Sequence, residues 1–356
     1  MNTSIFEQRR EALKRELKAR KLPALLVSHA ANRYYLTGFE LHDPQCNECI
    51  GWLVVTANGQ DYLFTDARYL DAAKQVWDEK NLCIYAANKQ AEVCSFLEGK
   101  GILEMGFEPK ALHLFDYDKL RQFVTLKSTE NIVESLRIIK DADEIKRMEE
   151  SIRINHDLFD YIEGQLIPGK TEQEISWEVE KFFRENGAEE MAFSTIVGVG
   201  PNAALPHAIP GETKIRENEM VLIDTGCRFA DYNSDQTRTF WVGNTPSDRF
   251  KETMDLVRAA QKAAIDIIKP GLSYVDAYKA SYAVFEKAGV EAMFTHGLGH
   301  GIGLETHEPP SLGKASQGIL EAGMVVTVEP GLYDAEWGGI RWEYEVLVTE
   351  DGCRVL

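Results

Sequence analysis

The spacing of apolar residues changes along the chain, and each change marks an element. The first twenty residues, MNTSIFEQRREALKRELKAR, form a charged helical pattern with no continuous apolar run. ALLVS (24–28) reads as a strand, and GWLVVTANGQDYLFTD (51–66) as a hairpin whose Asn58-Gly59 supplies the positive φ of a tight turn. A helix over 66–79 and a strand at NLCIYAA (81–87) follow. This alternation predicts a small mixed-sheet α/β domain over residues 1–130. In RIIKDADEIKRMEESIRINHDLFDYIEGQL (137–166) apolar residues fall at helical spacing for about eight turns, which marks a new start. The boundary is placed between 126 and 141, with a second domain over 131–356.

The second domain repeats itself. IPGKTEQEISWEVEKFFRENGAE (167–189) aligns without a gap on KPGLSYVDAYKASYAVFEKAGVE (269–291), at an offset of 102. Pro168, Gly169, Phe183, Gly187 and Glu189 recur as Pro270, Gly271, Phe285, Gly289 and Glu291, and the cap pair Thr171/Glu174 becomes Ser273/Asp276. Further on, MVLIDTG (220–226) pairs with VVTVEPG (325–331), which sets Asp224 against Glu329. Each half thus ends an apolar strand with an acid, and a buried carboxylate is costly unless paired, protonated or bound to metal.

Composition narrows the class. The 356 residues are 44% hydrophobic and 27% charged, ordinary for a globular chain of roughly two domains. No segment approaches the roughly 18 apolar residues that cross a bilayer. The 57 acids against 39 bases give a net charge of −18, which repels phosphate backbones and anionic lipid, so neither nucleic acid nor a membrane is expected as partner. The charged N-terminal pattern has no secretory h-region, and a cytoplasmic location is expected, with the six cysteines reduced. Cys46 and Cys49 have half of a zinc-knuckle spacing, but no second pair follows.

Four segments of the second half place acids and histidines where apolar strands end. Asp224 and Asp235 lie eleven apart in VLIDTGCRFADYNSDQTRTF, across what should be a hairpin. His296, His300 and His307 fall in the glycine-rich THGLGHGIGLETHE, and Glu329 closes VVTVEPG. In IRWEYEVLVTEDG strand alternation puts Arg341, Glu343 and Glu345 on one face, so Glu343 or Glu345 faces the site. Four gathered carboxylates would repel unless neutralised, and two divalent cations supply the balancing charge. Oxygen ligands with one imidazole suit Mn²⁺, Co²⁺, Fe²⁺ or Zn²⁺. Such a pair of metals, bridged by carboxylates and a water, constitutes a hydrolytic site. His156, His113 and His42 read as surface or core residues.

The order Asp224, Asp235, His300, Glu329, Glu343, with SDQTRT (234–239), HGLGHGIG (296–303), HEPP (307–310) and EPG (329–331), resembles the pita-bread metallopeptidases. GPNAALPHAIP (200–210), NRYYLTGF (32–39) and TDARY (65–69) make the resemblance one to the aminopeptidase P and prolidase branch, over nearly the whole chain. It implies an α+β protein: a small creatinase-type α/β domain followed by a pita-bread catalytic domain whose two halves meet at a pseudo-twofold axis. It implies that Asp224 binds one metal, that Asp235 and Glu343 bridge both, and that His300 and Glu329 bind the other, with Mn²⁺ the first choice. The glutamate two residues after Arg341 is the ligand, which selects Glu343. His207 and His307 match histidines that contact substrate and the tetrahedral intermediate, and His296 matches one lining the site near the proline pocket. Arg341 matches an arginine that supports the ligands or holds a substrate carboxylate. Trp342 and Tyr344 depart from the small aliphatic and the acid or amide usual there.

The implied reaction is attack on an Xaa-Pro bond by a hydroxide bridging two metals, with Glu329 as proton shuttle and His207 or His307 stabilising the oxyanion. The substrates are proline-containing peptides, and the resemblance implies a homodimer. Sequence does not separate an aminopeptidase P from a dipeptidase. Same-fold alternatives are a creatinase-like hydrolase or lyase, or a non-catalytic peptide-binding module. Relatives that lack the metals lose the acidic ligands, and here all five positions are intact.

Overall fold

A computed structural model describes residues 4–45 and 48–356, which divide into two compact units that meet in sequence between Arg137 and Ile138. Cys46 lies outside the described residues, and with it the Cys46/Cys49 spacing. The first unit contains α1 (Ile5–Ala19), β1 (Ala24–Val27), α2 (Ala30–Thr37), β2 (Gly51–Thr56), β3 (Tyr62–Asp66), α3 (Leu70–Val76) and β4 (Leu82–Tyr85). It continues with α4 (Lys89–Gly99), β5 (Glu104–Phe107), α5 (Leu114–Leu120), β6 (Thr125–Ser128) and α6 (Glu134–Arg137). One sheet runs in the order β4-β3-β2-β1-β5-β6; β2 is antiparallel to both neighbours, and the β1–β5, β5–β6 and β3–β4 pairs are parallel. Every residue of the central β1 is buried, the continuous apolar run expected of a strand covered on both faces.

Two local expectations fail here, for local reasons. Neither Asn58 nor Gly59 is in the left-handed region. The Asp61 carboxylate accepts from Thr56 N at 3.1 Å and the Thr56 hydroxyl donates to Gln60 O at 3.0 Å. These bonds close a longer loop, and a two-residue turn is not needed. The helix expected over 66–79 is a 3₁₀ turn at Ala67–Tyr69 followed by α3, and it stops at Trp77, which is extended.

The second unit opens with α7 (Ala142–Ile162) and α8 (Glu172–Glu185), followed by β7 (Glu190–Met191), β8 (Ile196–Val199), β9 (Glu219–Thr225), β10 (Cys227–Phe229), β11 (Tyr232–Asn233) and β12 (Gln236–Val242). Next come α9 (Asp248–Ile265), α10 (Tyr274–Ala288), β13 (Gly299–Gly301), β14 (Glu308–Leu312), β15 (Val325–Val328), β16 (Gly331–Asp334), β17 (Gly338–Arg341), β18 (Tyr344–Val348) and β19 (Cys353–Val355). The long helix starts at residue 142, not 137. Asp141 caps it, accepting from Asp143 N and Glu144 N, while the Glu144 carboxylate accepts from Asp141 N.

The repeat seen in the sequence is a repeat of structure. A helix pair, α7 and α8, precedes three strands ordered β8-β9-β12; a second pair, α9 and α10, precedes β13-β15-β18 in the same order. Thr171 and Ser273 cap α8 and α10, accepting from Glu174 N and Asp276 N. Gly169 N and Gly271 N donate to Ile215 O (2.9 Å) and Leu320 O (2.8 Å), and Phe183 and Phe285 are both fully buried. Side chains of β9 alternate between two cores: Val221 and Ile223 pack with α7 and α8, whereas Met220 and Leu222 join α9 and α10. Asp224 continues the second set, so the same alternation that buries Leu222 aims the acid between the halves.

The alternation expected across residues 340–348 holds, with Ile340, Val346 and Val348 in the core and Arg341, Glu343 and Glu345 turned towards Asp235–Thr237, although the backbone changes partner midway. β17 pairs with β16, β18 pairs with β15, and Trp342 and Glu343 bridge the two sheets. Glu343 thereby lies at the start of β18 as Asp235 lies at the start of β12.

Candidate metal centre

Asp224 on β9 is directly opposite Thr237 on β12, and Asp235 precedes Thr237 by two residues, so all three side chains share one face. Glu329, immediately after β15, and Glu343, immediately before β18, come from the second half. His300 lies on β13, where Gly299 is required: a Cβ there would run into Thr327 O. The five ligand candidates form overlapping triplets. Ligand atoms of Asp224, Asp235 and Glu343 lie within 4.8 Å of one another, as do those of His300, Glu329 and Glu343. A third triplet, Asp235, His300 and His307, adds a histidine that the resemblance places at the substrate. Glu345 is in none of them.

The electrostatics of the cluster fit a bound cation. Burial, then Glu343 and Asp224, push the Asp235 carboxyl well above its ordinary range; burial, then Glu329 and Asp224, do the same to Glu343. Burial pushes Glu329 up to about 8, against the opposing pull of Arg341. Burial, then His307, lowers His300 to about 4, so its imidazole is neutral. His300 Nδ1 lies 3.0 Å from Gly301 O, a contact that assigns the proton to Nδ1 and leaves a lone pair on Nε2. That lone pair is 3.5 Å from Asp235 Oδ2 and 3.6 Å from Glu329 Oε1, so each contact takes either a proton on the carboxyl or a shared cation. Asp224 Oδ1 and Glu343 Oε1 are likewise buried with no hydrogen-bond donor. Four carboxylates and one imidazole, with their ligand atoms brought together, fit divalent metal ions of the borderline-hard class.

The remaining oxygens are held by protein. Arg341, at the end of β17, donates to Asp224 Oδ2 (2.6 Å), the Tyr333 hydroxyl (2.7 Å), Thr237 Oγ1 (3.0 Å) and Pro206 O (3.3 Å). Thr237 passes the contact on, donating to Glu343 Oε2 at 2.7 Å. His296 Nε2 lies 2.8 Å from the Tyr333 hydroxyl and Nδ1 lies 2.7 Å from Gly297 O; burial, then Arg341, lowers its pKa to about 4. His207 and His307 are exposed at the rim. All nine candidate residues line one cavity of about 640 Å³, whose apolar side includes Phe193, Ile196, Pro206 and Ile209. Tyr333, which joins His296 to Arg341, carries no mark in the sequence beyond following Pro330-Gly331.

Residues 146–350 match the Metallopeptidase family M24, and residues 9–139 match the Creatinase/Prolidase N-terminal domain. The chain belongs to this metallopeptidase family, with a creatinase-type N-terminal domain and a pita-bread domain. It is 32% identical over 337 residues to the Xaa-Pro dipeptidase of Pyrococcus horikoshii, covering 94% of this chain and 92% of that protein. Among solved structures, the Xaa-Pro dipeptidase from Bacillus anthracis superposes with a TM-score of 0.92 at 33% identity, covering 98% and 97% of the two chains. The X-Pro aminopeptidase from Thermotoga maritima superposes with a TM-score of 0.84 at 28% identity, covering 96% and 97%. Among the described residues no helix is long and apolar enough to cross a membrane.

Proposed function

We propose that this protein hydrolyses the peptide bond before proline in short peptides, through two divalent metal ions, Mn²⁺ first among them. The reading rests on one observation: three buried carboxylates, the half-buried Glu329 and a neutral imidazole, from both halves of the 131–356 domain, bring their ligand atoms together. Asp224 would hold one ion, Asp235 and Glu343 both, and His300 and Glu329 the other. Bound there, the ions lower the pKa of water and polarise the scissile carbonyl. Glu329 takes the proton from the attacking water on its carboxylate and delivers it to the leaving proline nitrogen. His207 and His307, at the rim, donate to the carbonyl oxygen as negative charge develops, and His296 lines the substrate's side of the cavity. Arg341 gives four of its five N–H groups to protein acceptors, so its main work is to hold Asp224 directly and Glu343 through Thr237. An Xaa-Pro bond has no N–H, so an enzyme cannot dock it as a strand and needs a shaped cavity such as this. We further propose a homodimer working in the cytoplasm.

The names of the relatives favour dipeptides, and the aminopeptidase of the same fold keeps longer peptides open. Initial rates on Ala-Pro and Ala-Pro-Ala-Ala, compared in stripped protein reconstituted with Mn²⁺, separate the two. Hydrolysis of the dipeptide alone is the expected result and defines a prolidase; release of alanine from the tetrapeptide defines an aminopeptidase P. Silence on both with two ions bound overturns the reading in favour of other chemistry on this fold.

A further inference from the structure

Glu345 is fully buried and belongs to none of the ligand triplets, yet both its oxygens are spent on the strand that carries Asp235. Asp235 N donates to Glu345 Oε1 at 2.7 Å, and Gln236 Nε2 donates to Glu345 Oε2 at 3.0 Å. The Gln236 amide is oriented from its other end, where Oε1 accepts from Arg238 Nη2 at 3.3 Å. Arg238 is in turn tied to the second half, donating to Glu343 O at 2.5 Å, and its guanidinium lies 4.7 Å from the Trp342 ring and 4.4 Å from the Tyr344 ring. The segment that departs from the family pattern at Trp342 and Tyr344 is therefore a built clamp.

We propose that Glu345 is a positioning residue for the metal centre: by accepting from Asp235 N and Gln236 Nε2 it fixes the start of β12 against the start of β18, and so sets Asp235 relative to Glu343. This rests on the reading that Asp235 and Glu343 hold metal. The two residues stand at matching places in the two halves, each just before the second strand of its pair, and no backbone ladder joins those starts directly. Glu343 N donates to Thr237 O at 3.2 Å one step further along, and Glu345 supplies the contact at the Asp235 end. Residues behind metal ligands typically govern affinity by about 10- to 100-fold.

The contact is testable by exchanging its donor and acceptor. Glu345→Gln retains an acceptor for Asp235 N but turns an amide N–H₂ towards the N–H₂ of Gln236, and Mn²⁺ affinity measured by calorimetry should fall about 10- to 100-fold. Gln236→Glu sets two carboxylates against each other and should weaken binding similarly. The double exchange Gln236→Glu/Glu345→Gln restores a donor opposite an acceptor at unchanged charge, because the carboxylate introduced on β12 would accept from both Arg238 and the amide introduced on β18. It should recover most of the lost affinity. A role in bulk stability alone would lower the melting midpoint without this pattern of loss and rescue. Wild-type affinity in a folded Glu345→Gln protein overturns the proposal, as does a folded double exchange that recovers nothing. Should Glu345→Gln not fold, Gln236→Glu tests the same contact, and wild-type affinity there overturns it. A wild-type protein that binds no Mn²⁺ overturns the metal assignment, and this one with it.

Discussion

The two oxygens of Asp224 do different work: Oδ2 is held by Arg341, and Oδ1 has no donor. Asp235 is placed otherwise. Every charged group that shifts it is an acid, and its closest imidazole presents a lone pair, so of the four carboxylates it depends most on a bound cation. Asp235→Asn is therefore expected to change two things in opposite directions. Its amide can donate to the neighbouring carboxylates in the stripped protein and raise the apo melting midpoint, while bound metal, counted by mass spectrometry, falls below the wild-type complement. A full complement in that variant would contradict the bridging role. Glu329 is assigned both a metal ion and the proton, so Glu329→Gln is read with bound metal counted alongside: at equal metal occupancy kcat should fall about 10²- to 10⁴-fold. Near-normal turnover would remove Glu329 as the proton carrier.

Between elements, what is legible in the sequence is what is local. The caps of α8 and α10 are legible because a capping residue and its partner lie within one turn, and the acids are legible as polar residues that end apolar strands. The loop after β2 is not, because Asp61 closes it from across the hairpin; nor is the break at Trp342-Glu343, because the alternating pattern runs straight through it. Tyr333 is invisible for a related reason. A tyrosine in a strand reads as packing until Arg341 and His296 are seen to meet on its hydroxyl. The repeat itself carries a prediction at this scale. Phe183 and Phe285 occupy the same place in α8 and α10, each fully buried, so Phe183→Ala and Phe285→Ala should each cost about 3–5 kcal/mol. Urea unfolding monitored by circular dichroism checks this, and a cost below about 1 kcal/mol at either site would show that the two helices are not equivalent supports.

For the molecule as a whole, the metal centre sets how stability depends on pH. In the stripped protein Glu329 and Glu345 hold their protons up to about 8 and about 7, against an ordinary value of 4.5, chiefly through burial, and Asp235 and Glu343 are raised as well. The folded state thus binds more protons than the unfolded state, and its stability falls as pH rises through that window, by about 1.4 kcal/mol per pH unit for each proton retained. The histidines act with the opposite sign. His296 and His300 are lowered to about 4 from 6.5, so between those values stability gains as pH rises and offsets part of the carboxylate loss. Above about 6.5 the imidazoles are neutral in both states, and only the carboxylates remain. The melting midpoint of the stripped protein should therefore decline from about pH 6.5 to about pH 8. With Mn²⁺ in excess the decline should vanish or reverse, because the ions bind the deprotonated ligands and bind them more tightly as pH rises. Scanning fluorimetry of both forms decides it. A stripped protein whose midpoint is flat or rising over that interval would mean that Asp235, Glu329 and Glu343 are not the mutually opposed acids from which the metal assignment is drawn.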